Sequence, residues 1–366
     1  MNSVIIRKGD LFKSQCQTIV NTVNCVGVMG AGLALEFKNR FPAMYRDYKE
    51  LCDKGQVKLG RPYLYKSLAL PWILNFPTKD HWRSVSKLSD IVDGLNYLKK
   101  QYKEWGITSL AIPALGCSHG QLEWKVVGPT MYRILNEFDI SIEFYIPLDE
   151  TLEDFEKIIS GRENEDKPLY KIKPAWIGLA KILDEIKSEP YHYPVGRTKF
   201  QKIAYFATME GLPTGLDYKR SSYGPFANSL KKITTIMVNN GLITEKKSGN
   251  MFEIDIGPSY QDALNSLNGD FSEWKNIINK VSDLFKRINT EQAEIMATVH
   301  MVYHELKSKY KKSPEAESVF KEVMQWKQKR RPPLNELIVK KTITSLAILK
   351  WIDVRATKDW LVNEPV

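Results

Sequence analysis

Residues 1–150 predict a three-layer α/β domain with a mostly parallel or mixed sheet, and the remainder predicts a mainly helical second domain. Two observations carry the first expectation: short apolar runs of the kind shown by strands covered on both faces, and amphipathic helical stretches alternating with them. A third, a shift near residue 150 to acidic and then helix-periodic sequence, divides the chain. At 366 residues it has room for two domains of ordinary size.

The elements follow in order. Strands are predicted at SVIIRKG, TIVNTVN, PYLYKS, WILNFP, SLAIPAL and IEFYIP, and helices at GLALEFKNRF, AMYRDYKELC, LSDIVDGLNYLKKQYKEW and WKVVGPTMYRILNEF. These bound a first domain over 1–155. DETLEDFEKIIS could be its last helix, and GRENEDKP reads as linker, so an acidic connection is placed at 156–168. From 169 to 366 the periodicity is helical at AWIGLAKILDEIK, TKFQKIAYFATMEG, NSLKKITTIMVNNG, EWKNIINKVSDLFKRI, TEQAEIMATVHMVYHELKSKY, AESVFKEVMQWKQK and, after Pro332-Pro333, ELIVKKTITSLAILKWI. LITEKKSGNMFEIDI predicts a hairpin turning at Ser248-Gly249-Asn250, which gives a winged-helix-like segment near 221–256.

Composition narrows the function classes. No apolar run reaches the ~20 residues a membrane span needs, and the N-terminus lacks a signal-peptide core. A cytoplasmic protein with no membrane partner is expected. The four cysteines, Cys16, Cys25, Cys52 and Cys117, form no C-x-x-C pair and read as reduced thiols, not a zinc site. The net charge of +10 is uneven: +4 over 1–150, −4 over 151–166 and +10 over 167–366. A basic second half fits a nucleic-acid or acidic-protein partner, and equally plain solvated helices.

Two loops carry chemistry. In VNTVNCVGVMGAGLALEFK an apolar strand ends at Asn21 and Asn24, a Gly-rich turn follows, and a helix begins. Glycine admits close backbone approach, and a helix start offers free N–H groups to an anion. The pattern is neither G-x-G-x-x-G nor G-K-[ST]; a tight strand–helix turn is the alternative. SLAIPALGCSHGQLEW repeats the logic, with residues Gly116 to Gly120 able to form an N–H-lined concavity. Both loops follow carboxyl ends of strands, where open α/β sheets bind ligands. Two such loops on one edge suit a diphosphate.

With the early GDLF (Gly9 to Phe12), the VN-x-x-N strand end, the MGAGLALEFK loop and the PALGC loop, the first 150 residues resemble a macrodomain. Within that family, MGAG with its apolar helix, the following FP and the later NFPTKDHWR are similar to the DarG family of DNA ADP-ribosyl glycohydrolases, antitoxins that oppose DNA ADP-ribosyltransferases of the DarT type. The second half matches that family in layout only. The resemblance implies that Asp10 hydrogen-bonds the adenine amino group and that Leu11 lines its pocket. It implies that Asn24 with Gly30, Ala31, Gly32 and Leu33 faces the distal ribose, and that Gly116, Cys117, Ser118, His119, Gly120 and Gln121 wrap the diphosphate. The resemblance further implies that Asn21, Thr22 and Thr78 complete the substrate set and that Lys79 is the catalytic lysine. A related glycohydrolase acting on protein-linked ADP-ribose carries an aspartate in its second loop where this chain has Gly120.

The chemistry agrees with that assignment. A desolvated lysine can lose its proton and attack the anomeric carbon, giving a Schiff-base-type intermediate, or its charged form can stabilise a departing thymine anion. The expected activity is hydrolysis of ADP-ribose from thymidine in single-stranded DNA, with water as co-substrate and no metal or redox cofactor. A non-catalytic ADP-ribose reader fused to a DNA-binding regulator and a hydrolase of protein-linked ADP-ribose are the alternatives. His81 and Trp82 could touch the substrate's base or ribose, or simply pack. Cys117 as a nucleophile and a metal at His300 and His304, which lack a third ligand, are the weaker options. For the second half the resemblance implies binding of a DarT-like DNA ADP-ribosyltransferase toxin; direct DNA binding and a plain scaffold are the other readings. Candidate anchors are Tyr193, Phe200, Tyr223 and Phe226, and Lys327, Lys329, Arg330 and Arg331 add positive charge.

Overall fold

The computed structural model describes residues 4–117, 120, 122–160, 172–249, 251–266, 273–355 and 360. The chain divides into two compact units, Met1–Lys171 and Ile172–Val366.

In the first unit the order is β1 (Val4–Arg7), a single 3-10 turn (Leu11–Lys13), β2 (Thr18–Asn24), α1 (Gly32–Arg40), α2 (Pro42–Asp53), β3 (Tyr63–Tyr65), β4 (Trp72–Lys79), α3 (Leu88–Gln101), β5 (Ser109–Pro113), α4 (Trp124–Leu135), β6 (Ser141–Tyr145) and α5 (Leu152–Ser160). Among the described residues the strands form a six-stranded sheet in the order β1-β6-β5-β2-β4-β3. All neighbours are parallel except the β3–β4 pair at the edge, so the sheet is mixed. Side chains alternate along a strand, so the inner strands feed two cores. Ile19, Val23, Ile73 and Ala111 pack with Phe37, Met44 and Tyr48 of α1 and α2. Val20, Leu74, Phe76, Leu110 and Phe144 pack on the other face with α3, α4 and Phe155 of α5. That is the three-layer arrangement, and it explains why these strands read as unbroken apolar runs. Helix α5 continues through residues 156–160, where the sequence reading began a linker.

The second unit holds α6 (Pro174–Lys187), α7 (Arg197–Met209), the hairpin β7 (Lys219–Ser221) and β8 (Gly224–Phe226), α8 (Ser229–Asn239), the hairpin β9 (Ile243–Ser248) and β10 (Met251–Ile256), α9 (Tyr260–Ser266), α10 (Lys275–Phe285), α11 (Thr290–Tyr310), α12 (Ala316–Trp326) and α13 (Glu336–Ile348). It is mainly helical, as expected. The 221–256 segment contains α8 and the β9–β10 hairpin, and nothing beyond that helix–hairpin pair marks it as a winged helix. SSYGPF forms the end of β7, the turn and β8, and α8 begins three residues later. Helix α7 is buried on every side from Lys199 to Ala207, which makes it the central rod of the unit.

Three lysines and a glutamate lie inside this unit. Lys327, expected to add positive charge to the second half, is 4% exposed and pairs with Glu294 at 2.7 Å, so its charge is spent inside the unit. Arg330 lies 3.7 Å from the same carboxylate and also reaches Glu291. The Lys327 ammonium donates to the Ser222 carbonyl at 2.6 Å, and Lys202 donates to Pro225 O at 2.7 Å, so both pin the β7–β8 hairpin. Lys199 donates to Tyr193 O at 3.1 Å.

Burial, with the Lys327 charge beside it, pushes the Lys202 ammonium down to about 7, and burial alone takes Lys199 to about 8. An unfolded lysine titrates near about 10.4, so above pH 7 the unfolded chain binds more protons than the folded one. Stability from these groups is therefore reduced at neutral pH and grows as the pH rises. The full-length protein is expected to gain more in melting temperature between pH 7 and 9 than its Lys202→Met variant. Equal gains in parallel melting curves would contradict a charge-destabilised Lys202.

His300 shares a hydrogen bond of 3.0 Å with the Tyr205 hydroxyl and packs in the core against Phe206, with His304 at 3.3 Å. Burial holds the His300 imidazole well below its usual value, neutral at physiological pH. Among the described residues no group of three His, Cys, Asp or Glu could hold a metal ion. No described helix is long and apolar enough to cross a membrane.

Candidate functional site

The carboxyl ends of the parallel strands share one edge of the sheet. Three adjacent strands there, β5, β2 and β4, carry the second loop, the first loop and Lys79. The β2–β5 ladder stops at Ile19↔Ala111, although β2 runs on to Asn24. The two strands therefore part toward their carboxyl ends, with the Gly-rich loops on either side of the opening. Asp10 and Leu11 follow β1 on the same edge.

The first loop is shaped by Asn24. Its amide donates to Val28 O at 2.6 Å, and its Oδ1 accepts from Val26 N at 3.0 Å and Val28 N at 3.3 Å. The Tyr48 hydroxyl donates to Asn24 O at 2.7 Å. Asn24, expected to face a ribose, thus spends its side chain folding the turn. Gly30, Ala31 and Gly32 beyond it are exposed, and Leu33 is half-buried. Helix α1 starts there with Ala31 in the N-cap position and no side-chain capping bond, which suits an N–H array meant for an anion. Asn21 is fully buried and donates to Asn75 Oδ1 at 2.9 Å, a cross-strand pair beneath the loop rather than on its surface. Thr22 is half-buried on the same strand.

Lys79 is the last residue of β4 and the register partner of Asn24. The carbonyls of Lys79 and Asp80 accept from Cys25 N at 3.0 and 3.1 Å, so the lysine's backbone is fastened to the first loop. Thr78 is buried and donates to Val23 O at 3.4 Å. The second loop is fastened to the same segment: Ser86 N donates to Gly120 O at 3.2 Å, and Leu122 N closes the loop on Gly116 O at 3.0 Å. Gly116 sits at φ +73°, and a Cβ on Gly120 would lie 2.2 Å from Gly116 O and 2.4 Å from Ser86 Oγ. Sequence reasoning missed Ser86, because a serine in a polar stretch carries no motif signal. Ser118, His119 and Gln121 lie outside the described residues.

Asp10 accepts from Phe12 N at 2.9 Å and caps the 3-10 turn, with the buried Leu11 beneath it. Burial pushes the Cys117 thiol up to about 12, and burial with neighbouring Cys52 does the same for Cys25. Both remain protonated at neutral pH, so neither offers a thiolate nucleophile.

The Macro domain family matches residues 20–131. A DNA ADP-ribosyl glycohydrolase of Thermus aquaticus is 31% identical over 306 residues, covering 81% of this chain and 82% of that relative. One from Mycobacterium tuberculosis is 33% identical over 239 residues, 62% of this chain and 64% of the relative. A DNA ADP-ribosyl transferase–DNA ADP-ribosyl glycohydrolase fusion protein of Thermosipho africanus is 41% identical over 165 residues, 40% of this chain and 42% of the relative.

Proposed function

The chain belongs to the DarG family of macrodomain-containing DNA ADP-ribosyl glycohydrolases, and from that premise we propose that its first unit hydrolyses ADP-ribose from modified thymidine in single-stranded DNA while its second binds the DarT-like DNA ADP-ribosyltransferase toxin. The observation that carries the hydrolase reading is the Lys79–Ser86 segment. One end of it is hydrogen-bonded to the first Gly-rich loop and the other to the second. A diphosphate held by the two N–H arrays would bring the distal ribose to Lys79.

At Lys79 two routes break the bond between base and ribose. The neutral amine attacks the anomeric carbon as thymine leaves, and water later releases ADP-ribose and restores the amine. Alternatively the ammonium stabilises the leaving thymine anion while water attacks. Single-stranded substrate follows from the position of the mark, since an ADP-ribosyl group on a pairing edge excludes a partner base. Incubation with an ADP-ribosylated oligonucleotide and an ADP-ribosylated protein side by side tests the substrate class. Release from the oligonucleotide is expected; release from the protein alone would transfer the reading to protein-linked ADP-ribose.

Toxin binding is supported by the fused relative, in which transferase and glycohydrolase share a chain, and by exposed aromatics in the second unit. Tyr193, Tyr223 and Phe226 are 48%, 65% and 41% exposed, whereas Phe200 is buried at 1% and belongs to the core. Aromatic anchors carry much interface energy. Full-length Lys79→Ala, unable to hydrolyse, is expected to co-elute with the transferase and to restore growth on co-expression. Separate elution without rescue would remove the toxin from the account.

A further inference from the structure

The turn after Lys79 presents an unexplained exposed aromatic stack. The turn itself is held by polar contacts: Ser84 N donates to His81 O at 2.9 Å, Ser84 Oγ to Asp80 Oδ1 at 2.5 Å, and Arg83 N to His81 Nδ1 at 3.2 Å. None of these involves the Trp82 ring. That ring stacks on His81 with centroids 5.5 Å apart and planes 27° apart, and the Arg83 guanidinium lies 4.4 Å from its centroid. Even so, Trp82 is 46% exposed. A large ring left in water close in sequence to the proposed catalytic lysine offers apolar surface for a ligand to cover.

We propose that Trp82, with His81 and Arg83, is the platform on which a nucleobase of the DNA strand adjacent to the modified nucleotide stacks. The inference rests on the DNA-directed reading above. Three features fit a nucleotide. The stacked residues stand two and three positions after Lys79, in the turn that follows its strand. Its planar faces suit any base, because every base has a π-face. Arg83, whose guanidinium lies over the indole, brings positive charge to the same turn, as a phosphate backbone requires. The platform thereby holds the strand and leaves the ADP-ribose itself to the two Gly-rich loops.

The test uses full-length protein and two substrates, an ADP-ribosylated single-stranded oligonucleotide and the same modification on a lone nucleoside. For the oligonucleotide, Trp82→Ala is expected to raise KM about tenfold with kcat within about twofold. On the nucleoside the effect is expected to shrink below about twofold. Trp82→Phe, which keeps a stacking face, is expected to recover most of the oligonucleotide KM. A wild-type KM for Trp82→Ala on oligonucleotide overturns the platform. So does an equal loss on both substrates, which would mark Trp82 as a prop for the ADP-ribose site. If wild-type protein binds ADP-ribose yet leaves the modified oligonucleotide intact, the DNA-directed reading itself fails and the platform falls with it.

Discussion

Lys79→Ala is expected to bind ADP-ribose as tightly as the wild type and to release it from modified DNA about 10³-fold more slowly. Lys79 ends β4 with its backbone fastened to Cys25 N, a hold that a change of side chain leaves in place. Its removal therefore takes away stabilisation of the transition state without ground-state affinity, which lowers kcat and leaves binding intact. Loss of one well-placed charged donor costs about 10²–10³-fold, and loss of a nucleophile more. Lys79→Arg separates the two roles, since it keeps the charge but cannot form a Schiff base. Recovered turnover in Lys79→Arg assigns an electrostatic role, and a borohydride-trapped adduct on the wild type assigns a covalent one. Wild-type turnover by Lys79→Ala would remove the lysine from the chemistry.

The second large effect is expected in the Gly116–Gly120 loop. A methyl group on Gly120 would stand 2.2 Å from the Gly116 carbonyl oxygen, and backbone at both ends leaves little to yield. Gly120→Ala is therefore expected to open the loop and weaken ADP-ribose binding by about 100-fold or more by calorimetry. Gly116→Glu should do the same, since a side chain at φ +73° is strained, meets Leu122 at 2.8 Å and brings negative charge toward a diphosphate. Melting curves check that the first unit stays folded in each variant. The same crowding bears on the aspartate that a protein-directed relative places here. With no space for a Cβ at 120, this loop is not built for a lysine–aspartate pair, so Gly120→Asp is expected to lose affinity without gaining rate.

Much of the first unit was legible in the sequence because its signals are local. The apolar runs of β2, β4 and β5 are strands covered on two faces, β1 at the sheet edge leaves Ile5 exposed, and the Gly-rich stretches mark where backbone must bend at strand ends. What escaped depends on contacts between distant residues. Asn24 reads as a ligand residue in the motif, yet its amide is committed to Val26 and Val28. Ser86 matters only because the fold carries it beneath Gly120. In the second unit, KQKRR looks solvated until α11 brings Glu294 to Lys327. The β7–β8 hairpin has strands of three residues, too short for alternation to show. It holds its shape where Lys202 and Lys327 bind its carbonyls and Gly224 packs close to Thr298 and Glu294.

The central claim is that the two loops and Lys79 cut the bond joining ADP-ribose to the base. Mass spectrometry of a single-stranded oligonucleotide carrying one ADP-ribosyl-thymidine, before and after wild-type enzyme, tests it most directly. The account predicts free ADP-ribose and an oligonucleotide with its thymine restored and its length unchanged. An oligonucleotide left fully modified, or one that has lost the thymine and become abasic, would contradict it.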